Sequence, residues 1–260
     1  MNKAFTPSTV KIVSLNVWTA TSPDRNYQAE REPLIKKFFA ETLPDSFGVQ
    51  ECEAFWEERL SATVEGYTRA QELTTTKNYI YYRTDKYNLI DKGVFWLSET
   101  PDEISKGFGS RWFISCCYAL LENKETGTRY VHVNTHIDVT SSTIRMKEIR
   151  VLIPRIEEMF GGTGYPIVLT GDFNCTEETA VIQQLFKNGY RDSRALAREK
   201  SLIGTFNNYI HYEPRYYRGP IDFVFVKGNV KVAKTDVVDC VDGKHISDHN
   251  AVVAEIELYA

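Results

Sequence analysis

Apolar and β-branched residues run together along residues 10–17, which predicts a buried strand. A helix is predicted over 29–41, with Pro33 in its first turn and Leu34, Ile35, Phe38 and Phe39 forming one apolar face. A short strand over 46–50 and a second helix over 54–63 follow. Strand patterns then recur at 67–73, 79–82, 87–90, 94–97 and 112–121. A hairpin turn at 123–128, containing Gly127, returns the chain into a strand at 130–136. Ser141 or Ser142 is placed to cap a long helix reaching Phe160, with Ile144, Ile149, Leu152, Ile153, Ile156 and Met159 inward and Pro154 as a point for a kink. Beyond the glycine-rich 161–164, strands are expected at 166–170, 221–226, 230–238 and 251–258, with a helix near 179–188.

Helices and strands are mixed throughout, and several strands follow one another without a helix between them. Two packed mixed sheets flanked by helices, an α/β four-layer sandwich (α/β/β/α), fit this order better than one parallel sheet. No linker, repeat or low-complexity stretch divides residues 1–260, so one domain is expected. A net charge of −4 argues against a broad basic surface for gripping long nucleic acid. The five cysteines, at 52, 116, 117, 175 and 240, are odd in number and form no C-x-x-C pair, so neither a disulfide framework nor a zinc site is indicated. Cys52 and Cys175 adjoin polar motif residues and, by strand alternation, point into the core. No signal peptide is read at the N-terminus, and no run approaches the ~18 apolar residues of a membrane helix. A cytoplasmic chain with no membrane insertion and no obligate protein partner is the expectation.

Four short phrases sit where predicted strands end: Leu15-Asn16, Gln50-Glu51, Thr170-Gly171-Asp172-Phe173-Asn174 and Ser247-Asp248-His249. They offer carboxylates, carboxamides and a histidine. Oxygen donors of this kind suit a hard cation, Mg²⁺ or Mn²⁺, which takes one or two protein carboxylates plus water and substrate phosphate. Taken singly, Glu51 or Asp222 reads as a solvated charge at a strand end, and Asn16 as a turn former. Taken together they read as a site for phosphate-ester chemistry.

The stretches VKIVSLNVW, FGVQE, VHVNTHID, IVLTGDFN, GPIDFVFV and SDHNAVVAEI resemble, in order, the motifs of the endonuclease/exonuclease/phosphatase superfamily. The resemblance covers nearly the whole chain and implies the same four-layer sandwich with its active site at one end of the paired sheets. It implies that Glu51 is the principal metal-binding glutamate, with Asn16 and Asp248 completing the ion's surroundings. Asp172 and Asn174 would orient the attacking water and the scissile phosphate, and His136 would bind a non-bridging phosphate oxygen. Asp222 and His249 resemble a carboxylate–imidazole pair in which the carboxylate fixes the ring's tautomer. Either Asp172 or His249 would serve as base. His132 has no family role and is read as structural.

Departures from family patterns narrow the branch. Thr170 stands where inositol-polyphosphate phosphatases carry a tryptophan, and Thr76 stands where DNase I-like members carry a glutamate supporting the central histidine. Segments 96–101 and 204–206 are similar to bacterial members near the CCR4-like branch. Two further stretches are candidates to meet substrate: Arg111 beside a glycine-rich loop, as a phosphate clamp, and the tyrosine- and arginine-rich 209–218, with Tyr212, as a stacking surface. The resulting expectation is a divalent-metal-dependent phosphodiesterase or nuclease acting on a phosphate ester, with single-stranded nucleic acid or a short oligonucleotide as leading substrate. The alternatives are a phosphomonoesterase or a lipid or sugar-phosphate phosphodiesterase with the same site, or a non-catalytic binding protein.

Overall fold

In the computed structural model the described residues are 8–19, 27–53, 55–72, 76–209 and 219–259. Thirteen strands among them form two sheets. The first orders its strands β10-β12-β13-β1-β2-β4-β3: Glu199–Lys200, Val230–Val238, Ala251–Leu258, Ser8–Asn16, Ser46–Gln50, Tyr79–Arg83 and Tyr67–Arg69. The second orders them β5-β6-β7-β8-β11-β9: Tyr87–Trp96, Ser115–Asn123, Arg129–His136, Ile167–Asp172, Asp222–Lys227 and Arg191–Asp192. Each sheet has a parallel pair near its middle, β1 with β2 and β7 with β8; the remaining neighbours are antiparallel except the short edge strand β10, which runs parallel to β12.

Strand alternation sorts the side chains into layers. Val13 and Leu15 of β1 face outward, where they meet Phe38 and Phe39 of α1 (Tyr27–Thr42) and Trp56 and Leu60 of α2 (Phe55–Thr63). Val131, Val133 and Leu169 of the second sheet meet Ile149, Leu152 and Ile156 of α3 (Ser142–Phe160) and Ile182 of α4 (Ala180–Lys187). Val10, Ile12, Tyr130, Val168 and Val224 pack between the sheets. Three apolar clusters separate four layers, as the sequence predicts.

Toward one end the inter-sheet filling turns polar. Ser46 Oγ lies 2.9 Å from Tyr130 Oη and 2.7 Å from His132 Nδ1, and His132 Nε2 lies 3.0 Å from Thr170 Oγ1. Asn134 Oδ1 accepts from Thr170 Oγ1 at 3.0 Å and from Gln50 Nε2 at 2.6 Å, while its Nδ2 donates to the carbonyls of Val49 and Tyr79. Burial pushes the His132 imidazole down to about 3, so it is neutral here. Gly48 makes this seam possible, because a Cβ there would stand 2.2 Å from Thr170 Oγ1.

The structure redraws several boundaries. The segments expected at 87–90 and 94–97 form one strand, β5, whose polar middle is tolerated at a sheet edge; a register shift falls between Leu89 and Asp91. The strand expected over 67–73 ends at Arg69, because Gln71 leaves the ladder: its side chain accepts from Ile80 N and donates to Tyr118 O. Helix α1 begins two residues before the expected start, which moves Pro33 beyond its first turn. Ser141 caps α3 by accepting from Ile144 N, and the helix continues through Pro154. The short α5 (Ser193–Leu196), β9 and β10 carry too few residues to show a period.

Candidate active site

Six strand ends meet at the polar edge of the sandwich. Register places His136 beside Asp172 across β7 and β8, and Asp172 beside Asp222 across β8 and β11. On the facing sheet Asn16 closes β1 opposite Gln50, and Glu51 follows directly. Asp248 and His249 immediately precede β13. Residues up to 233 positions apart in sequence (Asn16 to His249) therefore share one site.

Asn16 is fully buried, and its Nδ2 donates to Glu51 Oε1 at 3.0 Å and to Asp172 Oδ2 at 3.1 Å. Its Oδ1 accepts from Trp18 N, and Glu51 Oε2 accepts from Thr19 N at 3.2 Å. Asp172 Oδ1 accepts from Asn174 N at 2.9 Å, while Oδ2 also lies 3.3 Å from His136 Nε2 and 3.7 Å from His249 Nε2. Asn174 Nδ2 donates to the Ile137 carbonyl at 3.0 Å, which fixes the orientation of its amide. The same nitrogen stands 2.9 Å from His136 Nε2, so in the neutral ring Nε2 is the acceptor and the proton sits on Nδ1. Thr76, where a supporting glutamate was absent, pairs with Ser115 Oγ at 2.6 Å; Asn174 orients His136 instead.

His249 Nδ1 donates to Asp222 Oδ2 at 2.9 Å behind the cleft, leaving Nε2 toward Asp172. Burial alone would lower the His249 imidazole, but the Asp222 and Asp172 carboxylates outweigh it and hold the ring well above its ordinary range. Burial raises the Asp222 carboxyl, with His249 opposing. Burial also pushes the Asp248 carboxyl up to about 6, while His249 opposes and the Glu51 carboxylate adds to the rise.

Backbone conformation contributes to the placement. Glu51 (φ 54°) and Asn174 (φ 48°) are left-handed, as are the neighbouring Trp18 and Lys77. Each such residue costs about 1–2 kcal/mol and persists where surrounding contacts enforce it. Cys52 N bonding to Lys77 O at 2.9 Å is one such contact. Cys52 and Cys175 are buried in the two outer cores as expected, but they lie past the ends of β2 and β8, beyond the left-handed Glu51 and Asn174, so strand alternation is not what turns them inward.

Several supporting residues take roles that the sequence alone does not assign. Arg31 is fully buried in α1; its guanidinium donates to the carbonyls of Val17, Trp18 and Ile246, tying the end of β1 to the segment before Asp248. Burial lowers its pKa to about 10, so it stays charged at neutral pH. Ser247 Oγ donates to Asn16 O at 2.6 Å. Thr205 Oγ1 accepts from both Ile221 N and Asp222 N, and Phe206 packs edge-on against His249 with ring centres 5.0 Å apart. Only their long-range partners reveal these roles.

Glu51, His136, Asp172, Asn174, Asp248 and His249 line one cleft of about 770 Å³. Arg111 is exposed and is not among the lining residues, whereas its neighbours Trp112 and Phe113 are. Tyr212 lies outside the described residues.

The donors fit a hard cation. Glu51 and Asp248 bring half-buried carboxylates that repel each other, with His249 and Arg31 opposing the effect on Asp248. Asp172, Asp222 and His249 place ligand atoms within 4.8 Å of one another, and Asp222 Oδ1 is buried with no hydrogen-bond partner. In that second group the imidazole already lies between the two carboxylates, which leaves Glu51 and Asp248 as the carboxylates that could hold a cation.

A layered sandwich with carboxylates, carboxamides and two histidines at one end of its sheets defines a phosphoesterase architecture. The Endonuclease/Exonuclease/phosphatase family matches residues 13–249, and the chain belongs to that family, whose members are hydrolases of phosphate esters. A family protein from Bacteroides thetaiotaomicron is 27% identical over 98% of this chain and 99% of its own, with a TM-score of 0.89. A mannosyl-6-phosphatase from Bacteroides thetaiotaomicron VPI-5482 is 27% identical over 95% and 99%, with a TM-score of 0.86. The D. rerio TDP2 structure with single-strand DNA product shares the fold at 17% identity over 96% and 99%, with a TM-score of 0.75. No curated protein sequence matches significantly. Among the described residues no helix is long and apolar enough to cross a membrane.

Proposed function

We propose that this chain hydrolyses the phosphate ester of a small organic alcohol, assisted by Mg²⁺ or Mn²⁺ held by Glu51 and Asp248 with Asn16. The observation that carries this reading is the setting of His136, Asp172, Asn174 and His249 on one bounded cleft of about 770 Å³, a size suited to a small ligand. Among its described lining residues only Lys77 and Arg145 are lysine or arginine, and both are engaged, by Glu53 and by the Asp138 carbonyl. A long polyanion needs a basic track, so a compact ester fits better than a polymer. The similarity to a mannosyl-6-phosphatase supports the same class. A nucleic-acid end is the second reading, favoured by the exposed Trp112 and Phe113 at the cleft.

A bound cation would polarise the phosphoryl group and acidify a nearby water. Asn16 holds Glu51 and Asp172 in a fixed relation through one amide. Asp172 orients the attacking water, with Asn174 N fixing its other oxygen. His249 Nε2, 3.7 Å from Asp172, exchanges the proton of the reaction, and Asp222 fixes its tautomer. His136 offers its partly exposed ring to a non-bridging oxygen.

The test is a substrate panel with Mg²⁺ or Mn²⁺: mannose 6-phosphate, adenosine 5′-phosphate, inositol phosphates, bis-p-nitrophenyl phosphate and a single-stranded oligonucleotide. A kcat/KM highest for one of the compact esters is expected. Efficient cleavage of the oligonucleotide with none of the small esters turned over would overturn the reading in favour of the second.

A further inference from the structure

Trp112 and Phe113 carry strand-forming side chains and are predicted inside a strand over 112–121, yet β6 begins only at Ser115. Both rings stand about half exposed, at 49% and 42%, and Val139 is 58% exposed. All three line the catalytic cleft. Exposed apolar side chains that line a catalytic cleft mark a place for ligand.

The surface is pre-built. Ser110 Oγ donates to Asp138 Oδ2 at 2.8 Å and accepts from Trp112 N at 3.2 Å. Asp138 stands two residues beyond His136, and its Oδ1 accepts from Thr140 N and Ser141 N. The backbone at Trp112 is thereby tied to Asp138, just past the strand that carries His136. Lysines flank both rings: Lys77 Nζ lies 5.5 Å from the Trp112 ring centre and is held by Glu53 at 2.8 Å, and Lys106 Nζ lies 5.1 Å from that of Phe113.

We propose that Trp112, Phe113 and Val139 form the subsite for a planar aromatic ring in the alcohol part of the ester, so that the substrates are phosphate esters of ring-bearing alcohols. This rests on the phosphoesterase reading of the same cleft. Aromatic faces backed by cations favour a flat π-system over an alkyl chain. The ring comes either from a nucleobase or from another aryl group.

Phosphonates, which bind without hydrolysis, separate the subsite from the chemistry. The wild type, Trp112→Ala and Trp112→Phe are titrated calorimetrically, with Mg²⁺ present, with benzylphosphonate, cyclohexylmethylphosphonate and the methylene phosphonate analogue of adenosine 5′-phosphate. Benzylphosphonate is expected to bind about 2- to 10-fold more tightly than its alicyclic counterpart. Trp112→Ala should erase that preference and Trp112→Phe should keep most of it. Tighter binding of the adenosine analogue than of benzylphosphonate supports a nucleobase source, and the reverse supports another aryl group. Equal affinity for the aromatic and alicyclic phosphonates, or a preference that survives Trp112→Ala, overturns the subsite. A chain that shows the preference but hydrolyses no ester supports the subsite and refutes the hydrolase reading.

Discussion

Asp172 is the residue on which the site turns. One carboxylate oxygen lies within 3.7 Å of Asn16 Nδ2, His136 Nε2 and His249 Nε2, and the other takes Asn174 N. Asp172→Asn keeps the shape but removes the charge that these groups surround. It is expected to lower kcat on any ester the wild type turns over by roughly 10²–10⁴-fold with little change in KM; steady-state kinetics check this, and a near-native kcat would remove Asp172 from the mechanism. A second residue tests the electrostatics away from the chemistry. Glu148, on α3, accepts from Asp138 N at 2.9 Å, but its Oε1 is buried without a partner. Burial raises its carboxyl from 4.5 to about 8. The folded chain thus binds this proton more tightly than the unfolded chain, so the stabilisation is full below about pH 4.5 and lost as pH rises to about 8. Glu148→Gln should flatten that part of the stability profile, read as urea midpoints across this window; an unchanged slope would contradict the assignment.

At the scale of elements, Gly48 of β2 packs directly against Thr170 and Asn134 of the facing sheet. Gly48→Ala would drive a Cβ to within 2.2 Å of Thr170 Oγ1 and 2.5 Å of Asn134 Oδ1, in a seam of buried hydrogen bonds. The expected cost is about 1–3 kcal/mol from overpacking alone, measured by denaturant unfolding; a variant as stable as wild type would show that the seam yields freely. The strands that build this region were legible because their apolar runs and alternation are strong: 46–50, 230–238 and 251–258 appear with the predicted limits. Elements failed where a side chain found a better partner than the ladder, as with Gln71, or where an edge position tolerated polar residues, as with Asp91 and Lys92. Trp112 and Phe113 fall outside β6: propensity favours a strand, but Trp112 N bonds to Ser110 Oγ.

For the molecule as a whole, the layering and the motif residues were readable because each chemical group lies at a strand end or within three residues of one, and the two sheets bring those ends to one edge. Asn16, Glu51, His136, Asp172, Asn174, Asp222, Asp248 and His249 meet as the resemblance implied. Arg31, Thr205 and Ser110 were not readable, since their roles exist only through partners distant in sequence, such as Ile246, Ile221 and Asp138. Arg111 illustrates the converse: composition marked it for substrate contact, and its neighbours line the cleft instead.

The central claim is that Glu51 and Asp248 gather a divalent cation at the floor of a phosphoesterase cleft. The most direct measurement is Mn²⁺ titration by calorimetry of the chelator-stripped protein, for wild type, Glu51→Gln and Asp248→Asn, with ester hydrolysis followed on the same samples. Wild type should bind Mn²⁺ and regain turnover as the site fills. Each variant should lose at least about 10-fold in metal affinity, in line with removal of a ligand group, and lose turnover in parallel. Full hydrolysis in excess chelator, or Mn²⁺ binding indifferent to both substitutions, would contradict the account.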